Sequence, residues 1–96
     1  MTNTPTSDDV LELRVAARSP AKELASAISH GIYDGRQVVM RAIGAGAVNQ
    51  AVKALVVAQG YVSQRGLVIA TRPGFINVEM EGEDRTAIVF HVIVVR

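Results

Sequence analysis

Few residues in this 96-residue sequence have types and spacing that could do chemistry, and the first group is Gly44-Ala45-Gly46. The run stands between a β-rich stretch and an apolar helical one, where free amides at a helix N-terminus attract anions. As a phosphate cradle it is incomplete. A dinucleotide fingerprint needs glycine where Asn49 stands, and the Walker loop needs Gly-Lys-Ser/Thr, which the chain lacks. A ligand loop at Gly44, Ala45 and Gly46 is one expectation. The simpler one is that these glycines permit a tight turn and close helix–sheet packing.

His30 and His91 have no companions at metal-ligand spacing, and the absence of cysteine removes disulfides, thiolate catalysis and cysteine zinc sites. Glu79, Glu81, Glu83 and Asp84 gather in one turn-like stretch, where solubilising a hairpin explains them better than acid–base work. No nucleophile–base pair is discernible. The expectation is a protein that is not an enzyme and uses no metal or cofactor.

Charge is more informative than catalysis. The net charge is only +1, yet residues 10–78 carry eight cations against the three carboxylates Glu12, Glu23 and Asp34. Arg18 and Lys22 flank a helix start, where cations beside free amides suit a phosphate. Asn49, Gln50 and Lys53 stand on an otherwise apolar helix near its dipole-positive end, and Asn49 and Lys53, four apart, share a face. With Arg41 these residues form a candidate nucleic-acid face; the alternative is that the helix residues are only its narrow wet stripe. Tyr61 and Phe75 could stack on bases, or serve as core or interface residues. Low net charge predicts weak, salt-sensitive binding, and the choice between DNA and RNA is not legible.

The elements that must position these groups follow from periodicity. Val10–Ala16 alternates, with Leu11, Leu13 and Val15 on one face, as a strand covered on one side requires. Ser19-Pro20 reads as a helix start with Ser19 as cap, Ala21, Leu24, Ala25 and Ile28 follow at helical spacing, and Gly31 reads as the stop. Arg36–Ile43 is apolar on both sides apart from Arg41, which suits an inner strand. A second helix is expected from about Ala47 to Gln59, closed by Gly60, with Val48, Ala51, Val52 and Leu55 as its main stripe. Ala47, Ala54, Val57 and Ala58 carry the apolar surface round most of that helix, so a second copy of the chain is expected to cover what its own sheet does not.

Leu67–Arg72 and Phe75–Met80 read as β-rich stretches separated by a bend or bulge at Pro73-Gly74. Glu81–Asp84 reads as a hairpin turn, and Thr86–Val95, apolar on both faces, as a central strand. The result is an α/β chain of the two-layer α+β kind, β-α-β-α-β-β, with two helices on one face of a mixed four-stranded sheet. Residues 1–9 read as a disordered tail and 10–96 as one domain. The sequence shows no leader-like segment and no apolar run long enough to span a bilayer, so no membrane partner and a cytoplasmic location are expected.

Three stretches carry a family resemblance. Gly44-Ala45-Gly46-Ala47-Val48-Asn49-Gln50-Ala51-Val52-Lys53-Ala54, running on to Gly60, resembles the signature of the stage V sporulation protein S family. Val15–Pro20 resembles that family's lead into its first helix, and Glu81–Ile88 its last hairpin. The resemblance covers about residues 10–96. It implies an Alba-like dimer, a fold shared with chromatin and RNA-binding proteins, and a regulatory role in sporulating bacteria. In Alba a pair of lysines begins helix one and basic residues lie on the last hairpin. Here Arg18 and Lys22 approximate the lysines, while the hairpin tip is acidic, so a duplex would meet repulsion there. The first expectation is a dimeric nucleic-acid-binding regulator. The alternative is an interaction module that binds a protein partner or a small anionic ligand, with Gly44–Asn49 as the ligand-facing loop.

Overall fold

The structure, a computed structural model, describes residues 9–95. Strand β1 (Val10–Val15) leads into helix α1 (Ala21–Tyr33), strand β2 (Gln37–Ala42) and helix α2 (Ala45–Val62). A short 3₁₀ turn (Ser63–Arg65) precedes strands β3 (Val68–Met80) and β4 (Glu83–Val95). The sheet order is β1-β2-β4-β3. β1 and β2 are parallel, and β4 runs antiparallel to both β2 and β3. This is the expected mixed four-stranded sheet, with β2 and β4 inside it.

Both helices cover one face of the sheet. Leu24, Ala25 and Ile28 of α1 and Ala47, Ala51, Ala54 and Ala58 of α2 share a core with Val15, Val38, Met40, Ala42 and Phe90. Burying that apolar surface is the main force that holds the layers together. The buried stripe of α2 is made almost wholly of alanine, which lets its backbone lie close to its neighbours. It also differs from the expected stripe: Val52 is exposed, and Val48 and Leu55 are only partly buried.

Several local signals resolve differently in the fold. Gly31 lies inside α1, and a Cβ there would stand 2.8 Å from Val38 Cγ2 and 3.0 Å from Leu11 Cδ2. It is a point of close helix–sheet approach and not a stop. The turn comes at Gly35, with φ 75°. We therefore expect Gly31→Ala to destabilise the protein. Overpacking costs about 1–3 kcal/mol and outweighs a helix-propensity gain of about 0.5–1 kcal/mol, so the urea midpoint should fall with its slope unchanged.

Ser19 does not cap α1. Its hydroxyl accepts the Ala16 N–H at 2.8 Å, closing the preceding turn, and the Pro20 carbonyl takes the Leu24 N–H at 3.1 Å. α2 begins two residues earlier and ends three residues later than periodicity suggests, with Gly60 inside it. Gly44 (φ 93°) and Gly66 (φ 76°) adopt the positive φ that favours glycine at its two borders.

Pro73-Gly74 makes no bend, because the β3–β4 register runs unbroken through Pro73↔Phe90 and Gly74↔Val89. β3 is an edge strand, where proline's missing N–H can point away from the ladder. The hairpin turn is only Glu81-Gly82, with φ 55° and 80°, the tight two-residue turn that matches strand twist. Glu83 and Asp84 already belong to β4. Of the expected tail, residues 1–8 lie outside the described residues, as does Arg96. Asp9 joins the sheet through its carbonyl, which accepts the Gln37 N–H at 2.9 Å.

Candidate anion-binding face

Because β1 and β2 are parallel, their C-terminal ends, the loop into α1 and the turn into α2 emerge at one end of the sheet. β3 runs in the same direction, since both it and β2 oppose β4. Register places Phe75 and Ile88 level with Ala42, so the hairpin beyond them has no β2 partner. It projects as an arm of roughly 16 Å at about 3.3 Å per residue. The arm and both helix N-termini therefore share one end of the molecule.

The loop into α1 is locked against the start of α2. Gln50 Nε2 donates to the Ser19 carbonyl at 2.7 Å. A Cβ on Gly46 would stand 2.9 Å from Ala17 Cβ, so glycine is what lets the two segments meet. Gln50, expected among the nucleic-acid contacts, thus has a positioning contact of its own: it holds the loop that carries Arg18. Arg18, Lys22, Gly44, Ala45, Gly46 and Asn49 are exposed around this junction, and Lys53, exposed too, stands one helical turn beyond Asn49 along α2.

Arg41 belongs elsewhere. Val38, Met40 and Ala42 face the helices, so Arg41 lies on the open face of the sheet, half-buried, with Nη1 3.6 Å from Glu12 Oε2. The sheet separates it from Asn49 and Lys53. Its neighbours are cations that sequence reasoning did not select. Arg14 is its direct register partner on β1. Arg85 shares the open face of β4 with Val89, the residue opposite Arg41.

Arg14, Arg41 and Arg85 line a cleft of about 560 Å³ between the end of the sheet and the hairpin arm. Ala16 and Ala17, Ile43, Val78 and Met80 supply apolar wall, and Glu79 is the one carboxylate in the lining. Alternation in the first strand already put Arg14 on the polar side. Its meeting with Arg41 and Arg85 depends on strand pairing, which no local pattern reports.

Ala17 touches both the cleft and the α2 start, so the two cationic groups adjoin. Among the described residues no cluster of His, Cys, Asp and Glu is placed to hold a metal ion. His30 is exposed near the end of α1, and His91 is half-buried on the open face opposite Arg72. No described helix is long and apolar enough to cross a membrane.

A second surface is apolar. Val52 and Val56, four apart on α2, are 45% and 68% exposed, and Phe75 on β3 is 76% exposed. With Leu55, Gln59, Ile69 and Thr71 the two valines line a groove of about 300 Å³ between α2 and β3. Gln59 holds that seam together: its Oε1 accepts the Ile69 N–H at 2.8 Å and its Nε2 donates to the Leu67 carbonyl at 3.1 Å.

Comparison with known proteins agrees with this architecture. The solved structure of Alba from Thermoplasma volcanium superposes with a TM-score of 0.59 at 11% identity, over 88% of this chain and 99% of that one. Identity that low establishes a shared fold alone, and the fold is Alba-like. The family model described as "Stage V sporulation protein S (SpoVS)" matches residues 11–95. With that match across both helices and all four strands, the chain belongs to the stage V sporulation protein S family.

Proposed function

We propose that this protein is a dimeric regulator that binds nucleic acid through the end of the sheet where its helices begin, and that it serves the sporulation-type role its family name describes. The observation that carries the reading is the convergence of cations from separate elements on that end. Arg18 comes from the first loop, Lys22 from α1, Lys53 from α2, and Arg14, Arg41 and Arg85 from three strands. Guanidinium and ammonium groups gathered toward one end, on the two sides of the sheet and with Arg41 half-buried, suit phosphates without demanding a base sequence. The apolar groove lined by Val52 and Val56 supports dimerisation, which would present two such ends. We read it as a cytoplasmic binding protein with no catalytic step, cofactor or membrane partner.

Fluorescein-labelled single-stranded RNA and duplex DNA, titrated at low and at moderate salt, test the reading. We expect saturable binding that falls steeply with salt. In an Arg18→Glu/Lys53→Glu variant of unchanged thermal midpoint we expect affinity to drop roughly tenfold or more, with a shallower salt slope. Absence of binding at low salt would remove nucleic acid as the partner. The second reading, a protein or small-anion partner, would then stand, and one feature favours it: Glu79, Glu81, Glu83 and Asp84 on the arm oppose a long polyanion.

A further inference from the structure

The cleft under the hairpin arm differs in kind from the exposed cations around α2. Arg14 and Arg41 stand side by side as register partners on adjacent strands. Like charges so placed repel, and a bound anion removes that cost. Glu12 compensates Arg41 in part at 3.6 Å, whereas Arg14 and Arg85 make no ion pair with any described residue. Three guanidiniums, against Glu79 in the lining and Glu12 beside Arg41, leave a surplus of positive charge that a phosphate group neutralises. The remaining wall, Ile43, Val78 and Met80 among it, is apolar. A volume of about 560 Å³ falls within the range of small-molecule sites, about 300–1,000 Å³.

Two features limit what can occupy it. Guanidinium planes pair in a forked way with phosphate oxygens and stack on flat rings, so one phosphate joined to a planar body uses both the charged and the apolar lining. The acidic tip of the arm, Glu81, Glu83 and Asp84, repels a backbone that continues along the arm, but not a phosphate that ends in the cleft. We propose that the Arg14–Arg41–Arg85 cleft is a binding site for a single terminal phosphate carried on a nucleoside. The source is either a free mononucleotide or the phosphorylated end of an oligonucleotide. The site shares its phosphate chemistry with the function proposed above, yet it stands without that function if the source is a mononucleotide.

Calorimetric titration of the full chain with adenosine 5′-monophosphate, adenosine and inorganic phosphate tests the site. A short ribo-oligonucleotide with and without a 5′-phosphate tests the source. We expect the monophosphate to bind at least tenfold more tightly than adenosine or phosphate alone. Arg14→Gln and Arg85→Gln should each weaken it about fivefold or more, in line with loss of a charge-assisted pair. Both side chains are exposed, so the variants should keep the wild-type thermal midpoint. Equal affinity for the monophosphate and the phosphorylated oligonucleotide identifies a mononucleotide site, and a clear preference for the oligonucleotide identifies strand-end recognition. The proposal fails if phosphate on the ligand makes no difference, or if neither substitution weakens binding. Long RNA that binds regardless of its 5′-phosphate and of both substitutions would sink the cleft and leave the broader nucleic-acid reading intact.

Discussion

Val56→Asp is expected to leave the protein monomeric at micromolar concentrations at which the wild type is expected to dimerise. Val56 is 68% exposed and Val52, on the same side of α2, is 45% exposed; both line the groove that meets β3. Exposed valines in a contiguous groove are costly to leave in water, and a second copy of the same surface is the simplest cover. A two-fold interface counts each substitution twice. Two carboxylates placed there without partners cost on the order of 5 kcal/mol together, a rise in Kd of more than a thousandfold. Because Val56 packs little within its own chain, helix content by circular dichroism should hold. Light scattering of wild type and variant reads the outcome: a monomeric wild type removes the dimer, and a variant that still dimerises moves the interface away from α2.

The largest loss of stability is expected from Ile28→Ala. Ile28 is fully buried, with 0% exposure, in the core cluster that joins α1 to Val38, Met40 and Phe90. Truncation removes apolar contacts and leaves a cavity that tight packing closes only in part, at a cost of about 2–5 kcal/mol. In a domain of this size that is a large share of a total near 5–15 kcal/mol. The thermal midpoint should fall by roughly 10–30 °C. Unfolding in urea, followed at fixed protein concentration because the proposed dimerisation would couple to folding, checks it. A loss below about 1 kcal/mol would mean that this part of the core collapses to fill the space.

The contrast between these sites shows how much could be read in advance. Alternation in Val10–Ala16, helical spacing from Ala21 to Ile28 and the two-sided apolar run Thr86–Val95 are local patterns, and each marks a real element, although β1 ends at Val15 and β4 begins three residues earlier, at Glu83. Gly31 and Gly60 misled because glycine's local preference to end a helix gave way to packing. The sheet needed Gly31 for close approach, and a short 3₁₀ turn with Gly66 at φ 76° closed α2 beyond Gly60. Pro73-Gly74 misled because a proline looks like a break in any strand, whereas at an edge it need not interrupt the ladder.

The candidate site divides in the same way. Arg18, Lys22, Gly44 and Asn49 were legible because two helix starts announce themselves in short stretches of sequence, and both do emerge at one end. Arg41 was legible as a cation in an inner strand but not as a residue on the opposite side of the sheet from Lys53. Arg14 and Arg85 acquire meaning only beside it. By itself the sequence determined the order of elements, the apolar excess of α2 and the family, since these rest on neighbours within a turn or a strand. The tertiary structure alone decided which arginines share a cleft, which valines stay bare and which glutamine locks a loop. Those depend on register and layer, which are set by pairing between segments tens of residues apart.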